Sequence, residues 1–128
     1  MKKLFLIAMA MLLLTACGQD KGNVQEAGYV NITAEQAKEI MDSQENCIIL
    51  DTRTQEEYCE GHIPGAILIP YDEIAEKAEG ILTDKEQLIL VYCRSGRRSK
   101  LAAEDLVKLG YTDIKEFGGI IDWPYEVE

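Results

Sequence analysis

A cysteine followed within five residues by three arginines is the stretch of this chain best equipped for covalent chemistry: Cys93-Arg94-Ser95-Gly96-Arg97-Arg98-Ser99. The apolar, partly β-branched run Leu88-Ile89-Leu90-Val91-Tyr92 leads into it. Leu101, Ala102, Leu106 and Leu109 follow at helical spacing, predicting one apolar helix face. This pattern predicts a strand buried on both faces, a tight loop and a helix N-terminus. Backbone N–H groups of such a loop can converge in a bowl that binds an anion. Nearby cations and helix N-termini lower cysteine pKa values to roughly 3.5–7.5. Cys93 is therefore expected as a thiolate nucleophile at the base of an anion site.

The elements that must position this loop alternate in type. Tyr29–Ile32 is a predicted strand. Thr33 and Gln36 then form a capping box for a helix with Ala34, Ala37, Ile40 and Met41 on one face. Cys47–Leu50 is a second strand, ending at Asp51. Thr54 and Glu57 give another capping box, and the short helix they start should stop before Gly61. Gly61-His62-Ile63-Pro64-Gly65-Ala66 is a forced turn. Ile67–Ile69 is a third strand, and 71–80 reads as helical with Ile74, Ala75 and Ala78 inward. Gly110 ends the helix after Cys93, and Thr112–Phe117 is the last strand before Gly118-Gly119. Alternating strands and helices imply an α/β fold, a parallel sheet with helices on both faces. Ligands in such folds bind beyond the carboxyl ends of strands. Asp51, Cys93 and Gly118-Gly119 all fall at such ends.

The 128 residues carry a formal net charge of −10 and are 47% hydrophobic. One globular domain fits this length and composition. Such acidity argues against nucleic acid and against an anionic lipid surface as partners. The arginines after Cys93 form a positive island on a negative body, which favours a small anionic substrate.

The first residues read as a targeting segment. Lys2 and Lys3 precede an apolar run from Leu4 to Leu14. Eleven residues are too few for a bilayer span of about 20 and suit a signal-peptide core. Leu14-Thr15-Ala16-Cys17-Gly18 resembles a bacterial lipobox, which implies lipid on Cys17 and cleavage before it. The expected organisation is a signal peptide over 1–16, a lipidated cysteine and flexible tether over 17–28, and a folded domain over 29–128. The tether would span about 18 Å. The implied location is extracytoplasmic, with the membrane met through the lipid anchor alone. Of the four cysteines, Cys47, Cys59 and Cys93 remain. An odd number outside the cytoplasm leaves at least one thiol free or paired between chains. No CxxC or Cys/His spacing suggests a metal.

Four segments together carry a family resemblance: Asp51-x-Arg53 with Glu57-Tyr58, Gly61-His62-Ile63-Pro64-Gly65-Ala66, Cys93 to Ser99, and Gly118-Gly119 with Trp123. In this order and spacing, residues 29–128 resemble a single rhodanese domain. The resemblance implies a five-stranded parallel sheet between helices and a sulfurtransferase that works through a cysteine persulfide. It makes Cys93 the nucleophile and Arg94, Ser95, Gly96, Arg97, Arg98 and Ser99 the anion-binding loop. It implies a small anionic sulfur donor such as thiosulfate, a thiol acceptor (small molecule or protein) or cyanide, and no cofactor. Arg98, the sixth loop residue counting from Cys93, is expected to matter most among the arginines; Arg97 reads equally well as a rim charge.

Two other functions share the fold. One is a binding or redox partner module without turnover, against which the intact nucleophile and cationic loop argue. The other is a phosphatase or arsenate reductase, whose Cys-x5-Arg loop is one residue longer than the loop here. Asp51 reads as a brace for the loop, and Arg53 as either brace or substrate contact. His62, the only histidine, reads as turn structure, because a thiolate needs no base. Cys59 reads as a plain helix residue more than a resolving thiol, and Trp123 as packing.

Overall fold

The computed structural model describes residues 24–26, 28–43 and 46–128. Cys17, its lipobox and the signal segment lie outside the described residues. The strands are β1 (Val24–Glu26), β2 (Tyr29–Asn31), β3 (Cys47–Asp51), β4 (Ile67–Leu68), β5 (Leu88–Cys93) and β6 (Ile114–Gly119). The helices are α1 (Ala34–Ser43), α2 (Gln55–Glu60), α3 (Ile74–Ile81) and α4 (Arg97–Lys108). The sheet order is β1-β2-β6-β5-β3-β4. Strands β2, β6, β5, β3 and β4 make the expected five-stranded parallel sheet, and β1 adds to its edge antiparallel to β2.

Period-two alternation in β5 explains the two-sided core. Ile89 and Val91 face one way and join Leu50, Ile74, Ala102, Ala103 and Leu106, the layer under α3 and α4. Leu90 and Tyr92 face the other way and join Ala37, Ile63, Phe117 and Trp123, with Ile40, Met41 and Tyr58 from α1 and α2. Every residue of β5 after Leu88 is buried, as a central parallel strand requires. Cys93 therefore reaches the sheet's carboxyl edge on a buried interior strand.

Both capping boxes form. Thr33 N–H donates to Gln36 Oε1 at 2.9 Å, and Gln36 N–H to Thr33 Oγ1 at 3.0 Å. Thr54 and Glu57 do the same for α2, which stops before Gly61.

Three expectations need correction. Val24–Glu26 lies within the expected tether yet pairs with β2, because the outer edge of a strand offers unsatisfied N–H and C=O groups to any adjacent chain. The segment after Pro70 opens as a 3₁₀ turn over Tyr71–Glu73 before α3 begins. Leu101 is not on the buried face of α4; it is 43% exposed. Ala102, Ala103 and Leu106 already fill the stripe against the sheet, and one residue earlier the helix has turned to the loop's open side.

Candidate active site

Cys93 ends β5, and Gly96 reverses the chain into α4. Gly96 has φ 105°, a left-handed conformation that costs glycine no Cβ clash. That turn aims the Gly96 N–H back at Cys93 Sγ, 3.0 Å away. The Ser99 hydroxyl and the N–H groups of Ser99 and Ser95 also favour negative charge on the sulfur. Burial pushes the Cys93 pKa up, and the polar groups of the loop, Ser99, Gly96 and Ser95, outweigh it, so the thiol lies below its ordinary range. The sulfur thus lies inside the turn between β5 and α4, with the Gly96 N–H aimed at it.

The arginines are arranged differently from the sequence expectation. No arginine is among the leading influences on Cys93. Arg94 and Arg97 are exposed and make no ion pair among the described residues. Arg98 is gripped by Glu57 of α2, Nη1 to Oε1 at 2.9 Å and Nη2 to Oε2 at 3.0 Å. The same Glu57 Oε1 accepts from Thr54 N–H and Oγ1–H. The Arg98 guanidinium holds the Glu57 carboxyl down at about 2. Arg98 still feels the charge of Cys93, but its planar fork is occupied. Tyr71, Arg94, Ser95, Arg97, Arg98 and Leu101 line an open cavity of about 390 Å³ at the mouth of the bowl.

Asp51 and Arg53 brace the floor. Arg53 donates Nε and Nη2 to the Asp51 carboxylate at 3.0 and 2.7 Å, and its own N–H at 2.9 Å. Its Nη2 also reaches Gly61 O at 2.7 Å. Tyr92 O–H donates to Asp51 Oδ2 at 2.6 Å and accepts from Ile63 N–H at 3.1 Å. With 5% of its surface exposed, Arg53 is committed to this network. It ties the ends of β3 and β5 to the Gly61–Ala66 turn, the bracing role. His62 stacks on Tyr58, ring centroids 3.8 Å apart, and its Nδ1 lies 3.0 Å from Tyr58 O. Trp123 packs on Phe117 and Tyr125. Cys59 is an exposed free thiol and Cys47 a half-buried one. Among the described residues no cluster of His, Cys, Asp and Glu is placed to hold a metal.

Two site residues escaped the sequence reading. Glu57 registered as a helix cap and as part of a resemblance segment, not as the partner of Arg98. Glu116, 2% exposed, accepts from Ser99 Oγ at 2.5 Å and Gly118 N–H at 2.9 Å. Its signal was legible: an acid two residues after Ile114 shares the inward face of a strand.

A cysteine that accepts a loop N–H at the carboxyl edge of a parallel sheet places this chain among α/β proteins with a thiol at the strand–loop–helix junction. The comparisons narrow that class. The family model described as "Rhodanese-like domain" matches residues 33–124, and this chain belongs to that family of single-domain rhodanese-like sulfurtransferases. It is 40% identical over 73 residues to the thiosulfate sulfurtransferase PspE of Escherichia coli, covering 57% of this chain and 70% of that protein. It is 35% identical over 112 residues to the putative sulfur carrier protein YrkF of Bacillus subtilis, covering 87% of this chain and 60% of that protein. A solved "rhodanese with anions from E. coli" superposes with TM-score 0.60 at 35% identity, over 64% of this chain and 96% of that one.

Proposed function

We propose that this chain moves sulfane sulfur from thiosulfate, or from a persulfide donor, to a thiol or cyanide, and that Cys93 carries the sulfur as a persulfide. The observation that supports it best is the 3.0 Å bond from Gly96 N–H to Cys93 Sγ, with Ser95 and Ser99 N–H alongside. The Cys93 thiolate attacks the outer sulfur of thiosulfate. The new S–S bond forms as the old one breaks, and sulfite leaves with its electron pair. The persulfide's terminal sulfur keeps the negative charge and takes the place in the bowl where N–H groups converge. An acceptor thiolate then attacks that outer sulfur, and Cys93 leaves as thiolate.

The loop length supports sulfur over phosphorus. Arg98 is the fifth residue after Cys93 and Ser99 the sixth, one short of the phosphatase spacing. A smaller bowl fits one sulfur atom better than a phosphoryl group.

The direct test is intact mass spectrometry of the 29–128 domain after thiosulfate treatment. One added sulfur, absent in Cys93→Ser, supports the reading. An unmodified mass, or strong Cys93-dependent turnover of aryl phosphates, would overturn it. Lipid attachment at Cys17 is a second element of the proposal, and rests on Leu14-Thr15-Ala16-Cys17 alone.

A further inference from the structure

Arg98 lines the substrate cavity but is already spoken for. It shares that cavity of about 390 Å³ with Arg94, Ser95, Arg97 and Tyr71. Yet its guanidinium donates Nη1 and Nη2 to the two Glu57 carboxylate oxygens at 2.9 and 3.0 Å. That is the paired geometry in which an arginine would otherwise take a substrate oxyanion. Glu57 is itself fixed, because Thr54 N–H and Oγ1–H donate to its Oε1 at 3.0 and 3.1 Å. The Arg98 and Glu57 side chains are only 25% and 24% exposed, so water and salt screen the pair in part.

We propose that Glu57 is a specificity-determining residue, a built-in counter-ion that withholds Arg98 from the donor and lets monoanionic persulfides, R–S–S⁻, compete with dianionic thiosulfate. This role rests on the sulfurtransferase reading, and specifies which donor charge the site favours. Coulomb attraction scales with the product of the charges. Each positive charge left in the cavity therefore helps a dianion twice as much, in free energy, as a monoanion. Three arginines line the cavity, and Glu57 cancels one of them. The margin of thiosulfate over a persulfide narrows accordingly. The sulfur step is the same for both donors. The Cys93 thiolate attacks the outer sulfur, the donor's S–S bond breaks, and sulfite or R–S⁻ leaves with the electron pair.

The setting of Glu57 suits this role. Its carboxyl, held down at about 2 by Arg98, is charged at any working pH. It is not among the residues that line the cavity, so it removes charge from the site without taking up space there. Arg94 and Arg97, exposed and unpaired among the described residues, remain to draw in an anion of either charge.

The test compares two alkylating agents that differ in charge and little else, iodoacetate and iodoacetamide, on Cys93 by peptide mass spectrometry. Each loses iodide to the same thiolate, so the ratio of their rate constants cancels the thiolate fraction and reports the charge of the cavity. No sulfur is transferred, so its failure and a failure of the sulfurtransferase reading are separate results. Glu57→Gln keeps a capping side chain and leaves Arg98 its full charge. The iodoacetate-to-iodoacetamide ratio should rise about fivefold at low salt and return toward wild type as ionic strength rises. Glu57→Asp keeps the charge but is one methylene too short for the two-pronged contact, and should raise the ratio by less. In an Arg98→Met background, Glu57→Gln should lose most of its effect. An unchanged ratio in both Glu57 variants, equal acceleration of both reagents, or a full-sized gain without Arg98 would overturn the proposal. Sulfur transfer gives a second arm. In Glu57→Gln, kcat/KM should rise about 20-fold for thiosulfate and about fivefold for methanethiosulfonate, a monoanion attacked at its outer sulfur with methanesulfinate leaving. Equal gains for the two donors would count against selection by charge.

Discussion

Glu57 takes Arg98 in a two-pronged grip, both carboxylate oxygens engaged at 2.9 and 3.0 Å, while also capping α2. One side chain thus joins the start of α2 to the first turn of α4. Glu57→Gln keeps a side chain suited to the cap and loses the ion pair. It should destabilise the domain by about 1 kcal/mol in urea titration near neutral pH. The sign of the pH dependence follows from the lowered Glu57 pKa. The contribution is complete above the unfolded carboxyl pKa of about 4.3 and disappears as pH falls to about 2. Wild type and Glu57→Gln should therefore converge in stability only in strong acid.

With Arg98 occupied, the arginines at the mouth of the bowl that are unpaired among the described residues are Arg94 and Arg97. Each is exposed at the mouth of the bowl. Arg94→Ala and Arg97→Ala should each raise the KM for thiosulfate about fivefold at low salt, the effect of about 1 kcal/mol from one solvated charge. Both penalties should shrink as ionic strength rises. Arg98→Ala should lower kcat as well, because it releases the α2–α4 link beside Cys93. Steady-state kinetics at two salt concentrations separates the two patterns.

The thiol's lowered pKa comes from hydrogen bonds. Alkylation of Cys93 should have its midpoint below about 8.5, the value of a free cysteine. Arg97→Ala should barely move it. Cys47 provides an internal contrast, because burial pushes its thiol up. In the same digest its midpoint should lie above that of Cys93.

Asp51 serves the frame. Asp51→Asn would leave the buried Arg53 without its counter-ion, a loss of about 3–5 kcal/mol by analogy with broken buried pairs. Tyr92→Phe, which removes only the phenol bonded to Asp51 and Ile63, should cost about 1–2 kcal/mol. Denaturant midpoints give the order directly: Asp51→Asn below Tyr92→Phe below wild type.

The lipid anchor has its own check. Cys17→Ser should move the protein from the membrane fraction to the soluble fraction, with thiosulfate activity retained. Retention in the membrane fraction at the wild-type level would exclude lipid on that thiol as the anchor.

Much of this arrangement was legible in the chain. The run from Leu88 to Cys93 could only be a strand buried on both faces, and its break at Arg94-Ser95-Gly96 placed the loop. Thr54 and Glu57 announced α2 by their spacing. What sequence could not convey was partnership at long range. Nothing local says that Glu57 will meet Arg98, 41 positions on, or that Glu116 will lie under Ser99. The arginines were read as one cationic group because they are close in sequence; the loop and the first turn of α4 set them apart, one to a carboxylate and two to solvent. Leu101 was misplaced for a similar reason. Helical spacing names a stripe, and the packing of Ala102 and Ala103 against the sheet decided which edge of the stripe stays dry.

At Gly119 the backbone of β6 runs so close to the loop that a Cβ there would overlap the Arg94 carbonyl and the Ser95 backbone. The same carbonyl accepts from Ile121 N–H at 3.2 Å. The bore of the sulfur site is therefore gauged from outside, by a missing methyl on a strand twenty-odd residues downstream. An engineer seeking a wider bowl by inserting a residue between Cys93 and Arg98 would first meet that wall. Enlarging this site means moving the end of β6 before lengthening the loop.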